Sequence, residues 1–395
     1  MVDLEAKAAS IREDPTQGHV FATILTRGPL SRRDVARLTG LSASTVTKAV
    51  KPLLAAGYLV EGAEEVEGPG RPITPLTVNT GRHYVLGVKV MEHEAVGVVA
   101  DPQGRVLASL RRALRDRTVD GLLDDVAQLM EDLYAVQPEF AAETEGLGVC
   151  LGGHVDGRTG TLRYSPFFAW RDVELARLLE ARTGLATVVE NDVNALAVAE
   201  QWFGAGRDVD NFAVVTVGAG IGCGLIVDGA LVHGASGMAG ELGHVTVEPD
   251  GHECRCGKRG CLETVASDES ILHAVGHANS IAEAVELARS GDEAASAAFA
   301  RAGDAIGRAV STLVNLIEPE RIVFSGEGVV ASDLLMDSVA AAIGRHAFGS
   351  AAEGLELVTR PLGDETWARG AAVNALRHLI ARPATRVGSI ASKGR

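Results

Sequence analysis

Four potential metal ligands lie close together in the second half of the chain: His244, Cys254, Cys256 and Cys261. Zinc prefers a tetrahedral shell of imidazole nitrogen and thiolate sulfur, and four protein ligands close that shell. Gly257 and Gly260 allow the chain to fold back so that the third cysteine joins the first two. The spacing therefore predicts a structural Zn²⁺ ion without an open catalytic position. Buried or redox-active cysteines are the alternative interpretation, and His252 is an alternative fourth ligand.

The composition is typical of a folded, water-soluble chain with more than one domain. The chain has 395 residues, of which 46% are hydrophobic and 23% are charged. It has only five cysteines, three of them in the cluster, which argues against a disulfide framework. The sequence shows neither an apolar run of membrane-spanning length nor a signal-peptide pattern. We therefore expect a cytoplasmic protein with no membrane partner.

Positive charge is concentrated near the N-terminus, although the chain as a whole carries a net charge of -15. Such an acidic total disfavours DNA binding, because contacts to phosphate need Lys and Arg. Residues 27–60 differ, since they hold six basic side chains against one acidic side chain, a local net charge of +5. This segment is the candidate DNA surface.

Within the basic segment, two short helices separated by a glycine turn are predicted. Ser31 and Asp34 form a capping pair for a helix that ends at Thr39, and Gly40 breaks it. Ser42 can cap a second helix, which has one apolar face and one face of short hydroxyls and cations, as a recognition helix in a major groove requires. The side chains expected to contact DNA are Arg32, Ser42, Ser44, Thr45, Thr47, Lys48, Lys51 and Arg71.

Two short strands after these helices predict a wing. Residues 57–60 and 73–78 are strand-like, and the turn between them places Arg71 between glycine and proline residues at its tip. The pattern is that of a winged helix-turn-helix. A plain helical hairpin with a solvated face is the alternative.

The rest of the chain alternates between strands and helices. Strands are predicted at 84–90, 95–100, 105–109, 146–151, 212–217, 222–227 and 322–325, and a helix at about 119–135. This order predicts an α/β fold in which two lobes share a cleft. The expected domains are a DNA-binding head with its linker (1–82), a first lobe (83–190, with a C-terminal helix at about 366–381), a second lobe with the zinc loop (191–365) and a flexible tail (383–395).

Several motifs together resemble the ROK family of sugar repressors and sugar kinases. They are Cys-Arg-Cys-Gly-Lys-Arg-Gly-Cys-Leu-Glu at 254–263, Glu-Leu-Gly-His at 241–244, Glu-Asn-Asp-Val-Asn at 190–194 and Gly-Ala-Gly-Ile-Gly at 218–222. The resemblance covers roughly residues 84–374. It implies an actin-like, RNase H-like pair of lobes with a hexose in the cleft, and its repressor branch carries a winged helix-turn-helix in front.

The resemblance also implies a sugar site. The side chains that would hold sugar hydroxyls are Asn191, Asp192, Glu241, His244 and Glu263. Paired carboxylates and an amide can discriminate between epimers, because the wrong sugar leaves buried polar groups unpaired. His244 would face the sugar with one ring nitrogen and the zinc with the other.

A regulator is favoured over a kinase because the phosphate-binding residues are missing. Asp192 matches the general base of family kinases, but residues 87–93 lack the Asp-x-Gly-Gly-Thr pattern of their first phosphate turn. Ala219 stands where those kinases usually have Thr, and Glu327 adds a negative charge near the expected nucleotide. We therefore expect no enzyme activity, with an ATP-dependent, glucokinase-like sugar kinase as the alternative.

The expected function is a sugar-responsive transcription regulator of the repressor type that acts on genes of carbohydrate metabolism. Its partners would be a DNA operator, a sugar or sugar derivative, and further copies of itself in a homodimer or homotetramer. The family also implies a possible protein partner. The sequence does not identify the sugar, because residues 165–170 depart from the loop common in the family.

Overall fold

The computed structural model describes residues 14–63, 74–363 and 365–380. These form two compact units. The first holds the described residues up to Gly153, then Gly157–Glu190 and those from Ala371 onward; the second holds His154–Asp156 and Asn191–Gly370. Within the described ranges, no helix has both the length and the apolar character needed to cross a membrane.

The N-terminal head consists of three helices and a two-stranded wing. Its elements are α1 (Pro15–Arg27), α2 (Arg32–Thr39), α3 (Ala43–Ala55), β1 (Leu59–Glu61) and β2 (Leu76–Val78). The predicted caps are confirmed: the hydroxyl of Ser31 accepts from the backbone N–H of Asp34, and that of Ser42 from the N–H of Thr45. The sequence did not lead us to predict α1, although Asp14 caps it and Pro15 opens it.

The remaining elements continue in chain order. They are β3 (Tyr84–Val90), β4 (Glu94–Ala100), β5 (Val106–Ala113), α4 (Val119–Val136), α5 (Pro138–Glu143), β6 (Thr144–Leu151), β7 (His154–Asp156), β8 (Thr161–Tyr164), β9 (Arg171–Val173), α6 (Leu175–Thr183), β10 (Ala186–Asn191), α7 (Asp192–Phe203), β11 (Phe212–Val217), β12 (Ile221–Val227), β13 (Ala230–Leu231), α8 (Glu263–Ala266), α9 (Asp268–Val275), α10 (Ile281–Arg289), α11 (Glu293–Ile317), β14 (Arg321–Ser325), α12 (Ser332–His346), β15 (Glu356–Thr359) and α13 (Thr366–Ile380).

Each unit is built on a five-stranded mixed sheet. The order in the first unit is β10-β6-β3-β4-β5, in which β3, β4 and β5 form the predicted antiparallel meander and β6 runs parallel to β3. The order in the second unit is β13-β12-β11-β14-β15, with β11, β14 and β15 parallel. Because parallel strands end at the same edge of a sheet, the turns after β11 and β14 lie side by side.

The core of the second unit lies between its sheet and the helices α11 and α12. Phe299, Ile306 and Val310 on α11 and Leu335 and Val339 on α12 are almost completely buried. Burial of each such large side chain stabilises the fold by roughly 1.5–3 kcal/mol. This packed layer is a rigid support for the loops at the sheet edge.

A buried polar cluster joins the head to the rest of the first unit. The Tyr58 hydroxyl, just before β1, donates to the Glu145 carboxylate, with O–O distances of 2.8 and 2.9 Å. Nδ1 of His83 lies 2.5 Å from Oε1 of the same carboxylate. The Tyr58 and His83 rings stack with centroids 3.7 Å apart. We call Tyr58, His83 and Glu145 the junction cluster.

Two further contacts surround the junction cluster. The guanidinium of Arg82 donates to both oxygens of Glu143, at 2.8 and 3.1 Å. Helix α1 lies so close to the end of α13 that a Cβ on Gly18 would stand 2.3 Å from the Ile380 carbonyl oxygen. The head therefore contacts the rest of the first unit both through polar bonds and through close helix packing.

Removing the Tyr58 hydroxyl tests the contribution of the junction cluster to stability. In Tyr58→Phe the buried Glu145 carboxylate loses a hydrogen-bond donor, so we expect the free energy of unfolding to fall by about 1.5–3 kcal/mol. Urea denaturation followed by circular dichroism measures this change. Tyr84→Phe is the matched control, because the Tyr84 hydroxyl donates to the neutral Gly81 carbonyl. If the two substitutions destabilised the protein equally, the charge of the Glu145 acceptor would not explain the effect of Tyr58→Phe.

Candidate DNA-binding and ligand-binding sites

The outer face of α3 has the properties expected of a recognition helix. Val46, Val50 and Leu53 turn into the core of the head. Of the predicted contact residues on the other face, Thr45 is half-buried and the exposed ones are Ser42, Ser44, Thr47, Lys48 and Lys51. The face therefore offers hydroxyls and two ammonium groups for base edges and phosphates.

The structure describes one of the two arginines predicted to contact DNA, Arg32, but not the other, Arg71. The guanidinium of Arg32, on α2, donates to Glu61 on β1 at 2.6 Å, so its charge is partly neutralised in the free protein. Arg71 lies outside the described residues, as does the tip of the wing.

The structure brings together the four predicted zinc ligands. One donor atom each from His244, Cys254, Cys256 and Cys261 lies within 4.8 Å of the other three. Nδ1 of His244 is 3.6 Å from Sγ of Cys254, and the Sγ atoms of Cys256 and Cys261 are also 3.6 Å apart. His252 stands outside this group, and its ring packs against that of His273. Three sulfurs and one imidazole nitrogen form a donor set that suits Zn²⁺.

The surroundings of the three cysteines shift the pKa values of their thiols in different directions. Burial raises the pKa of Cys254 above its usual value, and burial together with the neighbouring thiols raises the pKa of Cys261 to about 12. At Cys256 burial also acts to raise the pKa, but hydrogen bonds from the Lys258 backbone and the other thiols outweigh it, so that this pKa is lowered. A divalent cation at the centre would favour all three thiolates.

His244 lies between the metal site and Glu241, one of the residues predicted to bind the sugar. It ends a 3₁₀ turn, Leu242–His244, and its carbonyl accepts from Nζ of Lys258 at 2.6 Å. While Nδ1 faces the cysteines, Nε2 lies 3.9 Å from Oε2 of the exposed Glu241. Sequence reasoning missed Lys258, although it stands inside the cysteine motif. One ring nitrogen of His244 thus faces the predicted zinc ligands, and the other faces a residue predicted to bind the sugar.

Asn191 and Asp192 stand where β10 passes into α7. Oδ1 of Asn191 caps the helix by accepting from the N–H groups of Val193 and Asn194, at 2.9 and 3.2 Å. Oδ1 of Asp192 also accepts from Val193, at 2.9 Å. The predicted sugar contacts from these residues would therefore come from a fixed helix start.

The beginning of β12 is the support around which the predicted sugar residues are arranged. Helix α7 packs so tightly on this strand that a Cβ on Gly222 would stand 2.5 Å from a methyl carbon of Val193. On the turn that carries His244, a Cβ on Gly243 would stand 2.3 Å from the Ile221 carbonyl. Oε2 of Glu263 accepts from the Ile221 N–H at 3.5 Å. Asn191, Asp192, Glu241, His244 and Glu263 all belong to the second unit.

The stretch that lacks the phosphate-turn pattern forms an ordinary hairpin between β3 and β4. The backbone N–H of Met91 donates to the Glu94 carbonyl at 2.9 Å, which closes the turn. The Glu92 carboxylate at the turn accepts from the Arg117 guanidinium at 2.5 Å. The turn thus presents a carboxylate paired with arginine.

Comparisons with known proteins agree with both parts of the chain. Residues 85–378 match the ROK family, and residues 14–71 match the MarR family. The DNA-binding transcriptional dual regulator NagC of Escherichia coli K12 is 30% identical over 360 residues, which is 87% of this chain and 88% of NagC. The xylose repressor of Bacillus subtilis is 26% identical, over 90% of this chain and 94% of the repressor.

Two solved structures show the same fold with and without the head. A ROK family transcriptional regulator, described as a homologue of the E. coli MLC protein, is 27% identical with a TM-score of 0.81 and covers 92% of this chain and 95% of its own. A ROK family glucokinase from Streptomyces griseus in complex with glucose and AMPPNP is 28% identical with a TM-score of 0.63, over 74% of this chain and 99% of its own. The match of residues 85–378 together with these similarities shows that the chain belongs to the ROK family.

Proposed function

We propose that this protein is a sugar-responsive transcription regulator, of the repressor type, that binds its operator through the winged head. The observation that carries the proposal is the exposed hydroxyl and ammonium face of α3 in a chain whose body is of the ROK type. The regulator structure covers 92% of this chain, whereas the glucokinase covers 74%. The head is thus part of what the chain shares with regulators.

The ligand in this proposal is a sugar or sugar derivative bound by the second unit. Glu241, Glu263 and Asp192 would accept from hydroxyls, and Asn191 and His244 would complete the set. The names of the relatives support this choice, since they include an N-acetylglucosamine repressor and xylose repressors. Each of these names contains a small carbohydrate, which favours a ligand of that class here.

Zinc has a structural role in the proposal. His244, Cys254, Cys256 and Cys261 would hold the ion, which supplies positive charge for the thiolates and fixes the imidazole. The fixed imidazole then orients its other nitrogen toward Glu241 and the sugar.

The response to sugar would be a change in population between DNA-competent and DNA-incompetent states. We propose a homodimer or homotetramer with palindromic operators, because two-fold related heads present two equivalent recognition helices. The proposal includes a protein partner that controls the regulator. It also places the protein in the cytoplasm, where its operator DNA lies.

The central experiment is a mobility-shift assay with DNA selected by the full-length protein from a random pool. Addition of glucose, xylose or N-acetylglucosamine should change the Kd for DNA by about 5- to 150-fold for the cognate sugar. Glu241→Gln should bind the same DNA but lose most of this response. Lys48→Ala with Lys51→Ala should weaken DNA binding while sugar-induced thermal stabilisation remains. If no sugar of a broad panel alters the shift, the sugar part of the proposal fails.

The structural role of zinc is tested at its most exposed ligand. Cys256→Ser removes one thiolate without emptying the core, and we expect zinc affinity to fall by more than about 100-fold and the sugar response to fall with it. Zinc content by mass spectrometry and the mobility shift measure the two effects. Cys150→Ala is the matched control, because this buried cysteine lies outside the ligand group. Full zinc content and full response in Cys256→Ser would contradict the shared site.

We also propose that kinase activity has been lost. Asp192 retains the position of a general base, but the turn at residues 91–93 has no glycine and carries Glu92 paired with Arg117. Purified protein mixed with MgATP and each sugar should release no ADP above the rate of the protein-free mixture. Sugar phosphate formed by the wild type and abolished by Asp192→Asn would establish the kinase alternative instead.

A further inference from the structure

A cavity of about 310 Å³ lies inside the second unit, beside the loop that carries the cysteines. Its wall is formed by residues 252–255 of that loop, by helices α8 and α9 and by the first half of α11. Ala274 on α9 and Ala298 on α11 line it with only a methyl group each, which leaves the space open. Small-molecule sites in proteins occupy roughly 300–1,000 Å³, so the space can hold a small ligand group. We call it the side cavity.

The side cavity adjoins the residues predicted to bind a sugar. All five of these are described by the structure, and Glu263 is the one that lines the cavity. Its carboxylate accepts from the Ile221 N–H at 3.5 Å, which leaves further acceptor capacity for a ligand. Cys254, another residue of the wall, has its Sγ 3.6 Å from Nδ1 of His244. A ligand bound at the predicted sugar residues could therefore extend past Glu263 into the side cavity.

Two exposed imidazoles lie together on the wall of the side cavity. His252, in the cysteine loop, and His273, on α9, have ring centroids 5.8 Å apart and planes at 70° to each other. Among the described residues, neither ring nitrogen pair has a hydrogen-bond partner. A neutral imidazole offers one donor and one acceptor, and a sugar hydroxyl also donates and accepts. The two rings are therefore suited to hydroxyl groups of a ligand.

The charged side chains of the wall, Glu263 apart, are paired within the chain. The pairs are Arg255–Glu269 at 2.8 Å, Arg301–Glu248 at 2.7 Å and Arg259–Glu253 at 2.8 Å. A phosphate or carboxylate on a ligand would find no unpaired arginine among these described residues. Hydroxyl groups can bind the remaining donors and acceptors without separating the pairs. The wall therefore favours a neutral, hydroxyl-bearing ligand over an ionic one.

We propose that the side cavity is a subsite for a second sugar unit, so that the ligand of this protein is a disaccharide or longer glycoside. The inference rests on the proposed sugar-responsive function and names its ligand class. The first ring would be held by the five predicted residues. The second ring would extend past Glu263, and its hydroxyls would bind His252 and His273. One or two additional hydrogen bonds should tighten binding about tenfold relative to the single ring.

The test is calorimetric titration of the full-length, zinc-loaded protein with single sugars and their matching disaccharides. The probes are glucose with cellobiose and maltose, xylose with xylobiose, and N-acetylglucosamine with N,N′-diacetylchitobiose. In at least one series, we expect the disaccharide to bind the wild type about tenfold more tightly than the monosaccharide.

Two variants test whether the gain arises in the side cavity. His273→Ala removes one imidazole, and Ala274→Leu adds bulk at an exposed position of the wall. Each should raise the disaccharide Kd about tenfold, to near that of the monosaccharide. His346→Ala is the matched control, because it removes an exposed imidazole on α12 of the same unit and should keep the full gain. Unchanged zinc content and thermal unfolding establish that each variant is folded.

The inference is overturned if no disaccharide binds more tightly than its monosaccharide, or if folded His273→Ala and Ala274→Leu both keep the full gain. It also falls, together with the sugar part of the proposed function, if no probe binds at all. Failure of the proposed regulator function alone has a different signature, namely disaccharide binding that is lost in the two variants but never alters the mobility shift of DNA.

Discussion

Three cysteine sulfurs and one imidazole nitrogen must fit into one small volume in the second unit. The loop that carries them is arranged around this requirement. Burial, and then the neighbouring thiols, raise the pKa of Cys261 to about 12, and a cation at the centre of the loop would favour its thiolate. The loop is closed on itself by isolated bridges between Thr246 and Cys261 and between Glu253 and Arg259. Because His244 belongs to both the ligand group and the 3₁₀ turn against β12, fixing the loop also fixes the position of Glu241 beside the imidazole.

The start of β12 lies beside two kinds of side chain. The first are the polar groups that the ROK family resemblance associates with a sugar, held by the start of α7 and by the turn that ends at His244. The second are acidic side chains at the turns after β11 and β14, where Oε2 of Glu327 stands 2.8 Å from the Cβ position of Gly218, and where burial and then the charge of Glu327 raise the pKa of Asp268. Glu263 reaches the same strand through the Ile221 N–H. In the proposed function, the first group would bind the hydroxyls of a sugar, and the acidic side chains of the second would disfavour a nucleotide.

Local signals in the sequence predicted a large part of this structure. The caps at Ser31 and Ser42 and the strands Tyr84–Val90 and Phe212–Val217 follow from short-range patterns, and the structure confirms them. The group of one histidine and three cysteines also follows from such a pattern, and the structure brings its four donor atoms within 4.8 Å of one another. The junction cluster could not be predicted, because Tyr58 and Glu145 are 87 residues apart and only the folded chain brings them together. For the same reason, no short-range sequence pattern could predict that the Glu327 carboxylate lies against Gly218.

The junction cluster joins the head to the rest of the first unit. A buried carboxylate that accepts from a tyrosine and contacts a histidine is costly to leave unpaired, so the head is held in one orientation rather than tethered loosely. His83 takes a left-handed φ of 61° at the point where the head meets β3, which makes this joint specific in backbone as well as in side chains. Because α1 also packs on the end of α13, the head belongs to the same compact unit as the first sheet. In the proposed function, a ligand that shifts this unit would therefore carry the recognition helix with it.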